Sequence, residues 1–160
     1  MLSNDIGCEC YKCRGACRRR PGWFLPVEAE IAADLLEMSL LEFFRKYLGV
    51  DWYVRGIGAR DTFLLAPAII GMTPGEEYPW NPTGICIFFV GRSCLIHAAK
   101  PFECEKYAHN DTHKQTQKRR ETVADKWALE EHQRQIERLL GREPDRHHWR
   151  TSLKDTASNS

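Results

Sequence analysis

ICIFFVGRSCLIH, residues 85–97, is two short apolar arms around Gly91-Arg92. Isoleucine, phenylalanine and valine in runs of strand length, bounded by a glycine turn, predict an antiparallel hairpin. Each arm carries a cysteine, Cys86 and Cys94. Pro101 interrupts any continuation, and Cys104 follows in a turn or short helix. The segment therefore brings a small β element and three thiols to one place in the chain.

Upstream, DWYVRG (51–56) and DTFLLAPAII (61–70) are further runs of strand type, separated by Gly56, Gly58 and Asp61. GMTPGEEYPWNPTG (71–84) holds three prolines and three glycines, which predicts an irregular loop. Helices precede these strands. In LPVEAEIAADLLEMS (25–39), Val27, Ile31, Leu35 and Met38 recur at helical steps, with Ala32 and Leu36 widening the expected buried stripe. Pro26 suits a first turn, and Glu28 and Glu30 suit the positive end of the helix. Ser39 and Glu42 form a capping-box pair that opens a second helix, with Leu41, Phe44 and Leu48 as its inner line.

Beyond Asp111 the chain is polar and helical for nearly thirty residues. Leu129, His132, Ile136 and Leu139 or Leu140 form one narrow stripe, ended by Gly141 and Pro144. The expected organisation is a cysteine-cluster domain over 1–110, an amphipathic helix over 111–143 packed on it, and a flexible polar tail over 144–160. The expected class is α+β: a mostly helical small domain with a short antiparallel β element and a Cys-rich metal-binding N-terminal loop.

The totals narrow the function classes. In 160 residues, 23 Lys and Arg nearly cancel 22 Asp and Glu, so no overall field points to nucleic acid or an anionic membrane. The short basic runs Arg18–Arg20 and Lys118–Arg120 read as solvated surface. No apolar run approaches the roughly 18 residues of a membrane span. The start, MLSNDIGCEC, lacks the basic and apolar regions of a secretory signal. A cytoplasmic protein with reduced thiols is the expectation, and seven cysteines is an odd number for a paired disulfide framework.

Four of those cysteines crowd the N-terminus in CECYKCRGACRRRPGWF (8–24), spaced C-x-C-x2-C-x3-C. A C-x2-C step lets one tight turn aim two sulfurs at an ion about 2.3 Å away. Soft thiolates favour zinc, iron–sulfur clusters or Cu(I) over magnesium or calcium. Tyr, Lys, Arg and Gly surround Cys10, Cys13 and Cys17, unlike the setting of a core cysteine. Cys8 is the weakest of the four, because a one-residue gap turns it away from Cys10 in an extended segment. Cys86 and Cys94 lie in apolar strands, where a plain core role competes with ligation.

Taken together, CYKCRGACRRRPGWF (10–24), PVEAEIAADLL (26–36) ahead of LLEFFRKYL (40–48), and CIFFVGRSCLIHAAKPFEC (86–104) resemble the YkgJ-type cysteine-cluster family, described as zinc- or iron-chelating domains. The resemblance runs in order from Cys10 to about Tyr107. It implies that Cys10 and Cys13 are an opening ligand pair and Cys17 the second of a doubled cysteine. Cys86, Cys94 and Cys104 then supply the later ligands. Ala16 stands where the family has a further cysteine, a loss Cys8 could make good. His97 replaces a tyrosine and Lys100 an arginine. The cofactor implied is zinc or iron, the latter as an iron–sulfur cluster. Spacing does not separate them, and six thiols exceed the four of a closed zinc site.

Histidines are secondary ligand candidates. His109 and His113 lie four apart and would share a helix face, and His97 is flanked by Ile96 and Ala98. Relatives described as iron–sulfur oxidoreductases or lysine N-methylase-like proteins make an enzyme the runner-up. Against it, the chain has no dinucleotide glycine loop, nucleophile elbow or helical His-Glu-x-x-His, so no catalytic residue is assigned. A zinc-stabilised nucleic-acid or protein-interaction module comes third. The near-neutral charge argues against nucleic acid, and the C-terminal helix offers a side to a protein partner. Trp23 and Trp80 are expected to shield the centre from water.

Overall fold

The computed structural model describes residues 17–79, 83–106 and 110–145. Over these residues the chain is an α+β domain in which two apolar strands run through the middle of a helical shell. The elements are α1 (Pro26–Leu35), α2 (Leu40–Tyr47), β1 (Leu48–Tyr53), β2 (Thr62–Pro67), β3 (Glu76–Glu77), β4 (Phe89–Val90), β5 (Ser93–Cys94), a 3-10 turn (His97–Ala99), α3 (Phe102–Lys106), α4 (His113–Trp127) and α5 (Glu130–Leu140).

β1 and β2 pair antiparallel in the register Leu48 with Pro67 through Tyr53 with Thr62. All six residues of β2 are buried, as are the first five of β1. Burial on both faces explains why these strands read as continuous apolar runs rather than alternating ones. The proline-rich loop is less irregular than its composition predicts. Its Glu76–Glu77 pairs parallel to β1 as β3, giving the order β2-β1-β3. The hairpin expected over 85–97 forms, but its ladder is only β4 and β5, with Phe89 opposite Cys94.

β2 is an edge strand, and its free side is covered. Gln133 on α5 accepts from the Phe63 N–H at 3.1 Å and donates to the Phe63 carbonyl at 2.8 Å. Phe24 donates its N–H to the Leu65 carbonyl at 3.0 Å. These contacts use up groups that would otherwise invite another strand.

The capping box at α2 forms as expected: Ser39 Oγ accepts from the Glu42 N–H, and the Glu42 carboxylate from the Ser39 N–H. Phe44 and Leu48 are buried as expected, although Leu48 already opens β1; Leu41 is exposed and Phe43 is buried in its place. The correction at α1 is larger. Val27, Ile31 and Leu35 are 58%, 52% and 46% exposed, whereas Ala32, expected in the stripe, is buried with Ala29 and Ala33, and Leu36 and Met38 pack against the core as expected. The helix turns its small face inward because it packs tightly on α2, β2 and the 3-10 turn. Glu28 fixes that orientation, its Oε1 accepting from the Leu25 N–H at 2.7 Å and the Phe102 N–H at 3.0 Å.

The single C-terminal helix expected over 111–143 is two helices, broken at Ala128–Leu129. Trp127, buried at the end of α4, donates from Nε1 to the Phe24 carbonyl at 2.6 Å. The Gln133 amide takes the Trp127 carbonyl at 2.7 Å across the break. Leu129, expected in the buried stripe, is exposed, whereas Ile136 is buried as predicted. α5 ends at Gly141, whose φ of 74° is the left-handed conformation of a helix C-cap. Among the described residues no helix is long and apolar enough to cross a membrane.

Candidate metal centre

Four of the predicted thiol ligands lie among the described residues: Cys17, Cys86, Cys94 and Cys104. They come from three separated parts of the chain and line one cavity of about 380 Å³. The backbone brings them there. The Cys86 N–H donates to the Cys17 carbonyl at 2.7 Å, and the Gly84 N–H to the Arg19 carbonyl at 2.8 Å. On its other side the 85–87 segment bonds to the end of β2, through Ile87 N–H to the Ala68 carbonyl and Ile70 N–H to the Ile85 carbonyl. Cys86 is thus held between the N-terminal segment and the sheet. Cys94 enters by its cross-strand pairing with Phe89, and Cys104 sits in α3 behind Pro101.

Gly22 admits Cys104. A Cβ at position 22 would stand 2.6 Å from Cys104 Sγ and 3.0 Å from its backbone nitrogen, so only glycine leaves the space. The Gly22 N–H favours the charged form of the Cys104 thiol, and the N–H groups of Phe88 and Phe89 that of Cys86, the Phe89 N–H while donating to the Cys86 carbonyl at 3.0 Å. Such donors favour the charged form of a thiol and tune a thiolate ligand.

Burial works the other way. It pushes the Cys86 thiol up to about 12, with Cys94 and Cys17 adding to the rise. It pushes the Cys104 thiol well above the ordinary range, helped by Cys86, Glu103 and Cys17. Cys86 feels Cys94 and Cys17, and Cys104 feels Cys86 and Cys17, so the four sulfurs are coupled, and a cation among them would reverse the effect.

The thiols nevertheless do not close on one point. Among the described residues no group of three or more Cys, His, Asp or Glu side chains is gathered as a metal site. Cys8, Cys10 and Cys13, together with His109, lie outside the described residues. His97 opens the 3-10 turn and His113 is exposed at the start of α4, and neither lines the cavity. In chemistry the donor set suits a soft metal: four thiols, three backbone N–H groups that favour the charged form of two of them, and a cavity wider than a lone ion fills.

The charged groups around the thiols are what the sequence reading missed. Glu103, 8% exposed, accepts from the Trp23 N–H at 2.9 Å and from Arg120 Nε at 3.4 Å. The Arg120 guanidinium lies over the Trp23 ring, 4.8 Å from its centroid. Trp23 Nε1 donates to Asp51 Oδ2 at 2.7 Å, and Arg20 pairs with the same oxygen at 3.0 Å. Burial raises the Glu103 carboxyl, opposed by Arg120, the Trp23 N–H and Arg20. The basic runs read as solvated surface therefore turn residues inward: the Arg119 side chain is 12% exposed and that of Arg120 25%. Trp23 is buried beside the cavity lining, while Trp80 lies outside the described residues.

Searches of protein-family models, of curated proteins and of solved structures found no match to this chain.

Proposed function

We propose that this protein binds a thiolate-ligated metal centre, zinc or an iron–sulfur cluster, as a cysteine-cluster protein of the YkgJ type. One observation carries the reading: thiols from positions 17, 86, 94 and 104 line a single cavity. Cys10 and Cys13, seven and four positions before Cys17 in the sequence, are the ligands proposed to complete the set. A bound zinc would supply order and Lewis acidity, and a cluster would supply one-electron transfer. The chain's own part is to hold the sulfurs, favour the charged form of two of them through the Gly22, Phe88 and Phe89 N–H groups, and screen them with buried aromatic side chains. Retention of reduced thiols fits the cytoplasm.

Elemental analysis and an optical spectrum of the full chain purified without air test the reading. We expect a stoichiometric content of zinc, or of iron with acid-labile sulfide, that Cys86→Ser and Cys104→Ser each reduce severalfold. Protein that is folded, fully reduced and free of metal after reconstitution would overturn it.

The cavity's size favours an iron–sulfur oxidoreductase as the second reading. About 380 Å³ falls in the range of small-molecule sites, more space than a closed structural zinc requires. Visible absorption that bleaches on reduction is its expected signature.

A further inference from the structure

Cationic side chains share the cavity with the thiols. Arg19, Arg20, Lys100, Arg119 and Arg120 line it, against the carboxylates Glu103 and Glu105. The whole chain carries a formal charge of only +1, so this excess is local. Two of the arginines are anchored from outside the lining: Asp51 takes Arg20 Nη2 at 3.0 Å, and Asp111 takes Arg119 Nη1 at 2.8 Å. Anchoring fixes the guanidinium planes without using all of their five donors. The Nε atoms of both arginines are buried without a hydrogen-bond acceptor. A buried donor left unmet is costly, and more so when charged. Lys100 forms no ion pair with any described residue. Phe88, Phe89 and Ile96 give the cavity apolar surface for a carbon skeleton.

We infer that the cationic side chains of this cavity bind a small molecule through an oxyanion group, a carboxylate or a phosphate, and present it to the cysteines. A guanidinium fork matches either oxyanion bidentately, which a lysine alone does not. The inference goes beyond metal binding and stands on the arginines and Lys100, so it is testable on metal-free protein.

The test is calorimetric titration of the full chain, metal-free and zinc-loaded, with succinate in one arm and inorganic phosphate in the other, at constant ionic strength set by chloride. Saturable one-to-one binding of at least one probe to the metal-free protein is expected, and the preferred probe names the oxyanion. Arg119→Gln and Lys100→Gln should each weaken it by about tenfold, the loss of one charge-assisted hydrogen bond. Lys118→Gln, exposed on α4 and away from the lining, should leave it unchanged and serves as the control for general charge. If Arg119→Gln does not fold, Lys100→Gln carries the comparison. No saturable binding of either probe would overturn the inference. So would equal weakening by Lys118→Gln, or binding that begins only when zinc is present, which would place the anion on the metal. Anion binding by protein that takes up no metal would support this inference while refuting the metal reading.

Discussion

Gly22 carries a stricter demand than any cysteine around it, because no side chain fits between its Cα and Cys104 Sγ. A Gly22→Ala change puts a carbon 2.6 Å from the sulfur and 3.1 Å from Glu103 Cβ. α3 must then move, at a cost of about 1–3 kcal/mol typical of overpacking. Urea denaturation of the variant should show that loss, together with reduced metal content in protein that still folds. Wild-type stability with full metal uptake would mean that α3 is free to shift. From sequence alone Gly22 was legible only as half of a Pro-Gly turn, since its role depends on a thiol 82 positions away. The cysteines themselves were legible by spacing. Their charged surroundings were not, because Asp51, Glu103 and Arg120 come together around Trp23 only through contacts distant in sequence.

At the scale of elements, existence and type were largely readable, and orientation was not. α1 is the clearest case. Its Val, Ile and Leu stripe has helical period, yet the opposite, alanine face is buried. Periodicity reports that a helix has two faces. Which one turns inward is decided here by how closely α2 and β2 approach, and by the two N–H groups that Glu28 must reach. The consequence is an inverted mutational pattern. Ile31→Ser, at a half-exposed position, should change stability by about 0.5 kcal/mol or less. Ala32→Leu, conservative on paper, should cost about 1–3 kcal/mol through overpacking. Thermal melts of the two variants decide it, and the reverse ranking would mean that α1 packs by its branched side chains. The C-terminal break has a similar origin: Trp127 binds the Phe24 carbonyl just ahead of α1 and Gln133 the backbone of Phe63 in β2, which a periodicity count cannot register.

For the molecule as a whole, buried thiols link stability to pH. Without metal, Cys86 holds its proton up to about pH 12 when folded, whereas thiols in the unfolded chain release theirs from about pH 8.5. Between those values the folded state binds more protons, so stability must fall as pH rises. Metal-free protein should therefore lose denaturant resistance progressively above about pH 8.5. Cys86→Ala should flatten that slope even if it lowers stability overall. An unchanged slope would assign the dependence to other groups. Metal loading should release protons near neutrality, measurable as a buffer-dependent heat, since each ligand must ionise to bind.

The distance in sequence between the cavity's walls has a temporal meaning. Trp127, which ends the helix bearing Arg119 and Arg120, bonds to Phe24, 103 positions earlier. A ribosome adds residues at about 5–20 per second, so the amino-terminal thiols emerge some 5–20 s before that wall can arrive. During this interval they are unsheltered and open to oxidants or to any metal present. Anything that protects these thiols in a growing cell must act on the nascent chain, or wait until synthesis has passed α4.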